Sequence, residues 1–460
     1  MRKSSVRSHI NALLPFPLGR FQVGALATLG TETTSRALGL ATTIVFIRAL
    51  SVASYAFMVL FLAVGAFVGT SITGGIQMRY LRTEAERVSR RAPDVEFSFT
   101  TALLLEIALI SALALIVGLG AGLLGLHPGP TDATGFIFLC TLFSISQAAI
   151  QLTIYHYQAH LQFGKAGVVN IVRSGVIVIV AVLVIAGFAT SGIAAASIMT
   201  VVSLIAAIIL SSRIIMGKHR PVRWRRLMID SEVSWLTIFY LASAGFATID
   251  IFIVAALLHQ KDLAAFGAAQ RYYAFALGVG PALLAVVRVR TSQSDVIDSP
   301  AQQIRMLRSW VKRAGIPVLV GGVLLALVAP FVIPIVDAGR YPASIPTFQL
   351  LLIGACAYYV MMPASSLLMA QGRYRALALA VLGAFTANAI GDFVAVEFLG
   401  FGIVAIAAVA SITYLGFFVA TALLTMRAWK SASSTRLSAR MRPSALVRQI
   451  RASSASWRPS

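Results

Sequence analysis

The stretch 54–91 reads SYAFMVLFLAVGAFVGTSITGGIQMRYLRTEAERVSRR, an apolar run followed at once by Arg79, Arg82, Arg87, Arg90 and Arg91. A helix over the apolar part is long enough to cross about 30 Å of hydrocarbon. In lipid the backbone must satisfy its own hydrogen bonds, so a helix is the form such a run takes. Arginines that follow a span stay in the cytoplasm during insertion, so this stretch gives both the element and its direction. The same phrase recurs along the chain. Twelve apolar spans stand at 21–47, 54–77, 98–125, 135–159, 167–188, 192–215, 232–258, 264–287, 315–336, 347–370, 376–397 and 403–426. Basic residues gather after the even spans, as at Lys165, Arg213–Arg226, Arg288–Arg313 and Arg373–Arg375, and in both terminal segments. The opposite side carries Arg48, Lys261 and Arg340. The asymmetry places both termini in the cytoplasm, which requires an even number of spans.

Composition agrees. The chain is 58% hydrophobic and 12% charged with a mean hydropathy of +0.85, too few charges for a soluble chain of this size. The net charge of +22 is the retained-loop signature together with attraction to anionic lipid headgroups. No basic patch is interleaved with a nucleic-acid motif, so nucleic acid is not an expected partner. Cys140 and Cys356 lie inside apolar spans without metal-ligand or disulfide spacing. Residues 1–20 are basic, but Pro15 and Pro17 interrupt any apolar core, so a cleaved signal peptide is not expected.

Positions 211 residues apart resemble one another: Arg79 and Arg290, Tyr55-Ala56 and Phe266-Gly267, Phe163 and Tyr374. The offset argues for one unit written twice. The expected fold is an all-α polytopic membrane protein of twelve helices in two parallel six-helix repeats related by an axis along the membrane normal. The first bundle is 1–216, the basic cytoplasmic linker 217–231 and the second bundle 232–427. The tail 428–460 is rich in Ser, Arg and Ala, cannot bury a core, and is expected to be disordered or to lie on the lipid surface. The inner connection 288–314 is expected to be partly a surface helix.

The first eighty residues also carry a recognisable order: Ser35-Arg36-Ala37-Leu38-Gly39, Arg48-Ala49-Leu50-Ser51, Tyr55, Gly74-Gly75 and Arg79-Tyr80. Later come Ser191-Gly192-Ile193-Ala194-Ala195-Ala196, Gln371-Gly372-Arg373-Tyr374, Asn388 and Phe401-Gly402-Ile403-Val404-Ala405. Over roughly 21–427 this resembles the bacterial polysaccharide-biosynthesis transporters, the oligosaccharide-lipid flippases of the multidrug/oligosaccharidyl-lipid/polysaccharide (MOP) superfamily. The resemblance implies two bundles around a central cavity in the inner (plasma) membrane. It implies alternating access of an undecaprenyl-pyrophosphate-linked oligosaccharide, for exopolysaccharide, O-antigen or capsule synthesis. It also implies membrane lipids, and a polysaccharide polymerase or export machinery, as partners. Twelve spans suit this family better than the fourteen-span peptidoglycan-precursor flippases, which the chain also resembles. Drug/cation antiporters of the same superfamily have twelve as well.

A charge at membrane depth is costly unless it is paired or faces a wet cavity, so each is a functional candidate. Glu32 and Arg36 lie four apart on one face of the first span and can pair. Arg173 and Arg271 have no acid three or four positions away, and a guanidinium suits bidentate phosphate contact. Arg36, Arg173 and Arg271 are candidate pyrophosphate contacts, joined by Gln270, Tyr272 and Tyr273 as a polar and aromatic cluster for glycan. The plainer readings are a Glu–Arg packing pair for Arg36, snorkelling for Arg173 and interface anchoring for Arg271. Glu32, Glu106, Asp250 and Asp392 are candidates for H+ or Na+ coupling, with no other cofactor expected. Asp250, mid-span without a local partner, is the best of these, and pairing with an Arg on another helix is its alternative. Glu397 at the outer end reads as solvated. His156 and His160 have metal-ligand spacing but no evident third ligand, and read as a helix-interface pair.

No nucleotide-binding or hydrolase motif is present, so an enzyme is not expected. Three readings stand beside one another: a lipid-linked oligosaccharide flippase, a cation-coupled small-molecule or drug antiporter of the same fold, and a non-transport component of a polysaccharide system. The charge of the cavity wall separates the first two, because a polyanionic headgroup needs a positive lining and a cationic drug an acidic one.

Overall fold

The computed structural model describes residues 22–90, 98–123, 133–215, 231–276, 287, 291 and 299–441. Among them the regular elements are all helical. In chain order these are α1 (Gln22–Ala49), α2 (Val52–Ala66), α3 (Gly74–Arg90), α4 (Phe99–Leu123), α5 (Ala133–Ala159), α6 (Phe163–Ile185) and α7 (Gly192–Ile215). Then follow α8 (Ser231–Leu257), α9 (Gln260–Ala276), α10 (Pro300–Trp310), α11 (Ile316–Val336), α12 (Ser344–Ala370), α13 (Tyr374–Phe393) and α14 (Ile403–Met441). Ten stretches of helix among the described residues are long and apolar enough to cross a membrane. Helices α1 and α9 stand where the first and eighth spans are expected. The linker 217–231 falls outside the described residues, apart from Ser231.

Local chemistry explains the boundaries. Ser51 caps α2 by accepting the Ser54 N–H at 3.2 Å. Helix α2 passes through a π-helical turn at Phe67–Ile72 and resumes as α3, so the basic loop after the second span is itself a helix. Ser299 caps α10 with Pro300 in its first turn, and α10 continues through a π-helical turn into α11. The surface-helix expectation for 288–314 holds from Pro300 onward. Met306 and Trp310 are its buried face, the Trp310 indole donating to the Tyr359 carbonyl at 3.0 Å.

The tail departs from expectation. Helix α14 runs on to Met441, because Ala, Arg, Lys and Leu sustain a helix already nucleated in the membrane. Trp429 donates to Gln303 Oε1 at 2.6 Å and Ala428 is buried, so the packed body reaches past 427. The remainder of the tail lies outside the described residues.

Helices α5, α6 and α7 begin at Ala133, Phe163 and Gly192, and α12, α13 and α14 begin 211 positions later at Ser344, Tyr374 and Ile403. The segments before and after the expected linker touch mainly through α1, α2 and α3 against α8 and α9. Two glycines permit this approach. A Cβ on Gly75 would overlap Thr237 Oγ1, and one on Gly267 would overlap Val59 Cγ2. Near Arg48 and Arg340 one hydrophobic core is shared, with Ile47, Leu50, Tyr55 and Phe61 packed among Val254, Phe266, Ile333 and Tyr341. Toward the basic loops the cores are separate, around Ile150 and Val169 in one half and Leu368 and Val381 in the other. Helix α11 shows the lipid face: Leu319, Val323, Leu327, Phe331 and Ile335 are exposed, as apolar side chains are when lipid is the solvent.

Candidate functional site

Between the halves lies a cavity of about 760 Å³. Its wall carries the charged side chains Arg36, Arg173 and Arg271, and no Asp or Glu among the described residues. Helices α1 and α6 pack along each other, and the Ser35 and Ser174 hydroxyls hydrogen bond across that contact. This fixes the neighbouring Arg36 and Arg173 on one side of the cavity. Arg173 donates to Gln151 Oε1 at 2.9 Å, which holds its guanidinium toward α5, where Gln147 also lines the wall. Arg271 enters the same cavity from α9 in the other half. Three guanidinium groups from three helices thus share one concave space, the arrangement that recognises a multivalent anion.

Gln270 and Tyr273 line the same cavity, with Tyr240, Tyr358 and Tyr414 as further aromatic wall. Gln270 donates to the Ala247 carbonyl at 3.1 Å. Tyr272 does not belong to the group. One residue along a helix is a turn of about 100°, and this ring is buried against Phe348 at a centroid distance of 6.2 Å. It belongs to the shared core, not to the cavity wall.

The acidic candidates separate. The side chain of Glu32 lies outside the described residues, so its pairing with Arg36 is not described. Glu106 is fully buried beside Gln77 between α3 and α4, away from the cavity wall. Asp250, the best of the coupling candidates, finds a partner on another helix, but that partner is an amide and not the arginine of its alternative reading. Asn388 of α13 joins it to Asp392 of the same helix and to Thr413 of α14. Asn388 Nδ2 donates to Asp250 Oδ1 at 2.5 Å and reaches Asp392 Oδ2 at 3.5 Å, while Thr413 Oγ1 donates to Asn388 Oδ1 at 2.8 Å. Asp250, Asn388 and Asp392 are all buried, and Asp392 Oδ1 has no hydrogen-bond partner. Two buried carboxyls bridged by one amide, one of them with an orphan oxygen, suit a shared proton or a small hard cation with oxygen ligands. The cluster sits directly behind the cavity wall: Tyr414 follows Thr413, Ile251 follows Asp250, and both line the cavity. Asn388 and Thr413 were not legible as site residues from chemistry alone, since a lone Asn and a lone Thr in apolar helices are common packing residues. Glu397 is exposed, as expected.

Comparison by sequence finds no matching family model and no matching curated protein. The fold does have solved counterparts. An inward-facing multidrug resistance MATE transporter of the MOP superfamily superposes with a TM-score of 0.65 at 12% identity, covering 89% of this chain and 99% of that one. The lipid II flippase MurJ, in an inward closed conformation, gives 0.64 at 14% identity over 88% of this chain and 87% of that one. A MOP superfamily transporter from Pyrococcus furiosus, reported with a reverse polarity of its binding pocket, gives 0.61 at 11% identity over 90% and 97%. The chain has the MOP-type fold.

Proposed function

We propose that this protein is a flippase that carries an undecaprenyl-pyrophosphate-linked oligosaccharide across the inner membrane by alternating access. The observation that carries the reading is the cavity wall, with three arginines and no described carboxylate. A pyrophosphate offers oxygens to each guanidinium fork, and the tyrosines supply flat faces for sugar rings. The antiporter reading needs an acidic wall to hold a cationic drug, and the charge here has the opposite sign. The fold is shared by a lipid II flippase and by multidrug transporters alike, so the choice rests on the charge of the wall. With the basic loops in the cytoplasm, the shared core near Arg48 and Arg340 closes the outer side and the cavity faces the cytoplasm, where such a substrate is assembled. Asp250, Asp392, Asn388 and Thr413 would hold a proton or Na+, which exchanges as the second bundle moves.

Purified protein in liposomes, with a fluorescent pyrophosphate-linked glycolipid, tests the reading. Each of Arg36→Ala, Arg173→Ala and Arg271→Ala is expected to slow flipping by about 10–100-fold, the worth of one charged hydrogen bond. Arg→Lys restores part of the rate, since a point charge lacks the planar fork. Normal flipping by all three Ala variants would overturn the reading.

A further inference from the structure

The histidines four apart at the end of α5 acquire in three dimensions the partner that their own segment lacks. Glu84 of α3 lies against them, and one ligand atom from each of Glu84, His156 and His160 falls within 4.8 Å of the others. We propose that these three residues form a binding site for a divalent first-row transition ion of the zinc type. The site lies at the basic-loop end of the first half, apart from the cavity, and is independent of what the protein transports.

The orientation of the rings carries the proposal. His160 Nδ1 lies 2.9 Å from the His156 carbonyl, to which only an N–H can donate. The Nε2 of the neutral ring is then a bare lone pair, and it faces Glu84 Oε1 at 3.4 Å. Acceptor then faces acceptor, a contact that a metal ion between them would turn into two ligand bonds. His156 Nδ1 lies 2.6 Å from the Tyr80 hydroxyl; with that hydroxyl as acceptor, the ring's Nε2 lone pair is left for a ligand bond. Metal-bound histidines are typically fixed through the second ring nitrogen in this way. Ligand bonds of 2.0–2.1 Å in a tetrahedral zinc site put neighbouring ligand atoms about 3.4 Å apart, the separation seen between His160 and Glu84. Two imidazoles and one carboxylate are a borderline-soft set that selects zinc, cobalt or nickel over magnesium or calcium. Glu84 and Tyr80 are buried, while His160 keeps about a quarter of its side chain open to solvent, which gives the ion an entry.

Arg87 pairs with the same Glu84 oxygen, so it competes with the ion. A proton on His160 is the other cation that the geometry accepts. The three cases separate in one set of measurements on untagged full-length protein in detergent, titrated with Zn2+ against a chromophoric chelator and with Co2+ followed by its visible spectrum. One equivalent of zinc and a tetrahedral cobalt spectrum are expected. His160→Gln and His156→Gln lose the spectrum and weaken zinc at least tenfold. Tyr80→Phe, which leaves every ligand in place, weakens it about 10–100-fold, as loss of an orienting partner does. Arg87→Gln tightens it, by removing the competing cation. His160→Gln changes a part-exposed side chain and serves as the folded control by gel filtration and thermal melting. If wild-type protein binds no zinc at micromolar free ion, or if His160→Gln binds it unchanged, the cluster is a protonated Tyr–His–His–Glu network and the proposal is wrong.

Discussion

At the residue scale, the sequence shows which side chains are costly but not where they point. Three guanidinium groups in apolar spans demand a wet or anionic surrounding, and all three reach the cavity wall. Tyr272 is one position from Arg271 and faces the protein core, because helix rotation is set by packing that no single segment encodes. A finer residue-scale feature is backbone strain at Leu161. Its φ is +57°, in the left-handed region, and it ends α5 in a tight turn with Gln162 N–H donating to the Tyr157 carbonyl at 2.8 Å. The equivalent turn after α12 has Gly372 at φ +71° and an Arg373-to-Leu368 bond of 2.9 Å. Leu161 is 60% exposed and packs little. A non-glycine residue there costs about 1–2 kcal/mol, part of which glycine returns through its larger unfolded-state entropy. Leu161→Gly is therefore expected to stabilise the protein by about 0.5–1 kcal/mol in detergent melting, and Leu161→Val to destabilise it. A lower melting temperature for the glycine variant would show that the turn is not strained.

At the scale of elements, the apolar spans were legible because lipid enforces helix and length together. The helices beyond the hydrocarbon were less so. The stretch Gly74–Arg90 and the start of the tail are helical, yet their polar composition reads equally well as loop; only Pro300–Trp310 was expected as a helix. Arg48 and Arg340 show what pairing across the sequence hides. Arg48 donates from Nε to the Val336 carbonyl at 2.9 Å and from its terminal nitrogen to Ile335, at the C-terminus of α11. Arg340 donates to the carbonyls of Leu50 at 3.1 Å and Arg48 at 3.2 Å, and to Ile47, at the C-terminus of α1. Each half lends a cation to the negative end of the other half's helix and satisfies carbonyls that the helix cannot. Charged hydrogen bonds of this kind are worth about 1.5–3 kcal/mol each, so the exchange holds this end shut. A cysteine at Leu50, 1% exposed, in protein freed of its two native cysteines, should resist a membrane-impermeant maleimide. In the Arg48→Ala/Arg340→Ala background labelling should rise at least tenfold. Equal labelling in both would mean that the apolar core alone closes this end.

At the scale of the whole molecule, the repeat is written in the sequence as a constant offset, whereas the conformation is not. Which end of two similar bundles shares a core is decided by a small difference between large packing terms, and both arrangements use the same helices. The charge separation between the two sites also emerges only in three dimensions: cations line the cavity, while the Asp250–Asp392 pair stands behind the wall. That separation bears on the driving force. A pyrophosphate headgroup with about two negative charges gains roughly 2.3 kcal/mol per charge per 100 mV on moving outward from a negative interior. Under the proposed function, arginines fixed on α1, α6 and α9 would stay with the protein and would screen the headgroup without cancelling its passage through the field. Return of the empty carrier is then the step that a proton or Na+ at Asp250 and Asp392 would favour. In proteoliposomes an inside-negative potential should speed outward flipping by wild type. Asp250→Asn and Asp392→Asn should keep that response and lose the dependence on pH or Na+ gradient. If wild type ignores potential, pH and Na+ alike, no coupling exists, and the glycolipid must be drawn across by removal of the product.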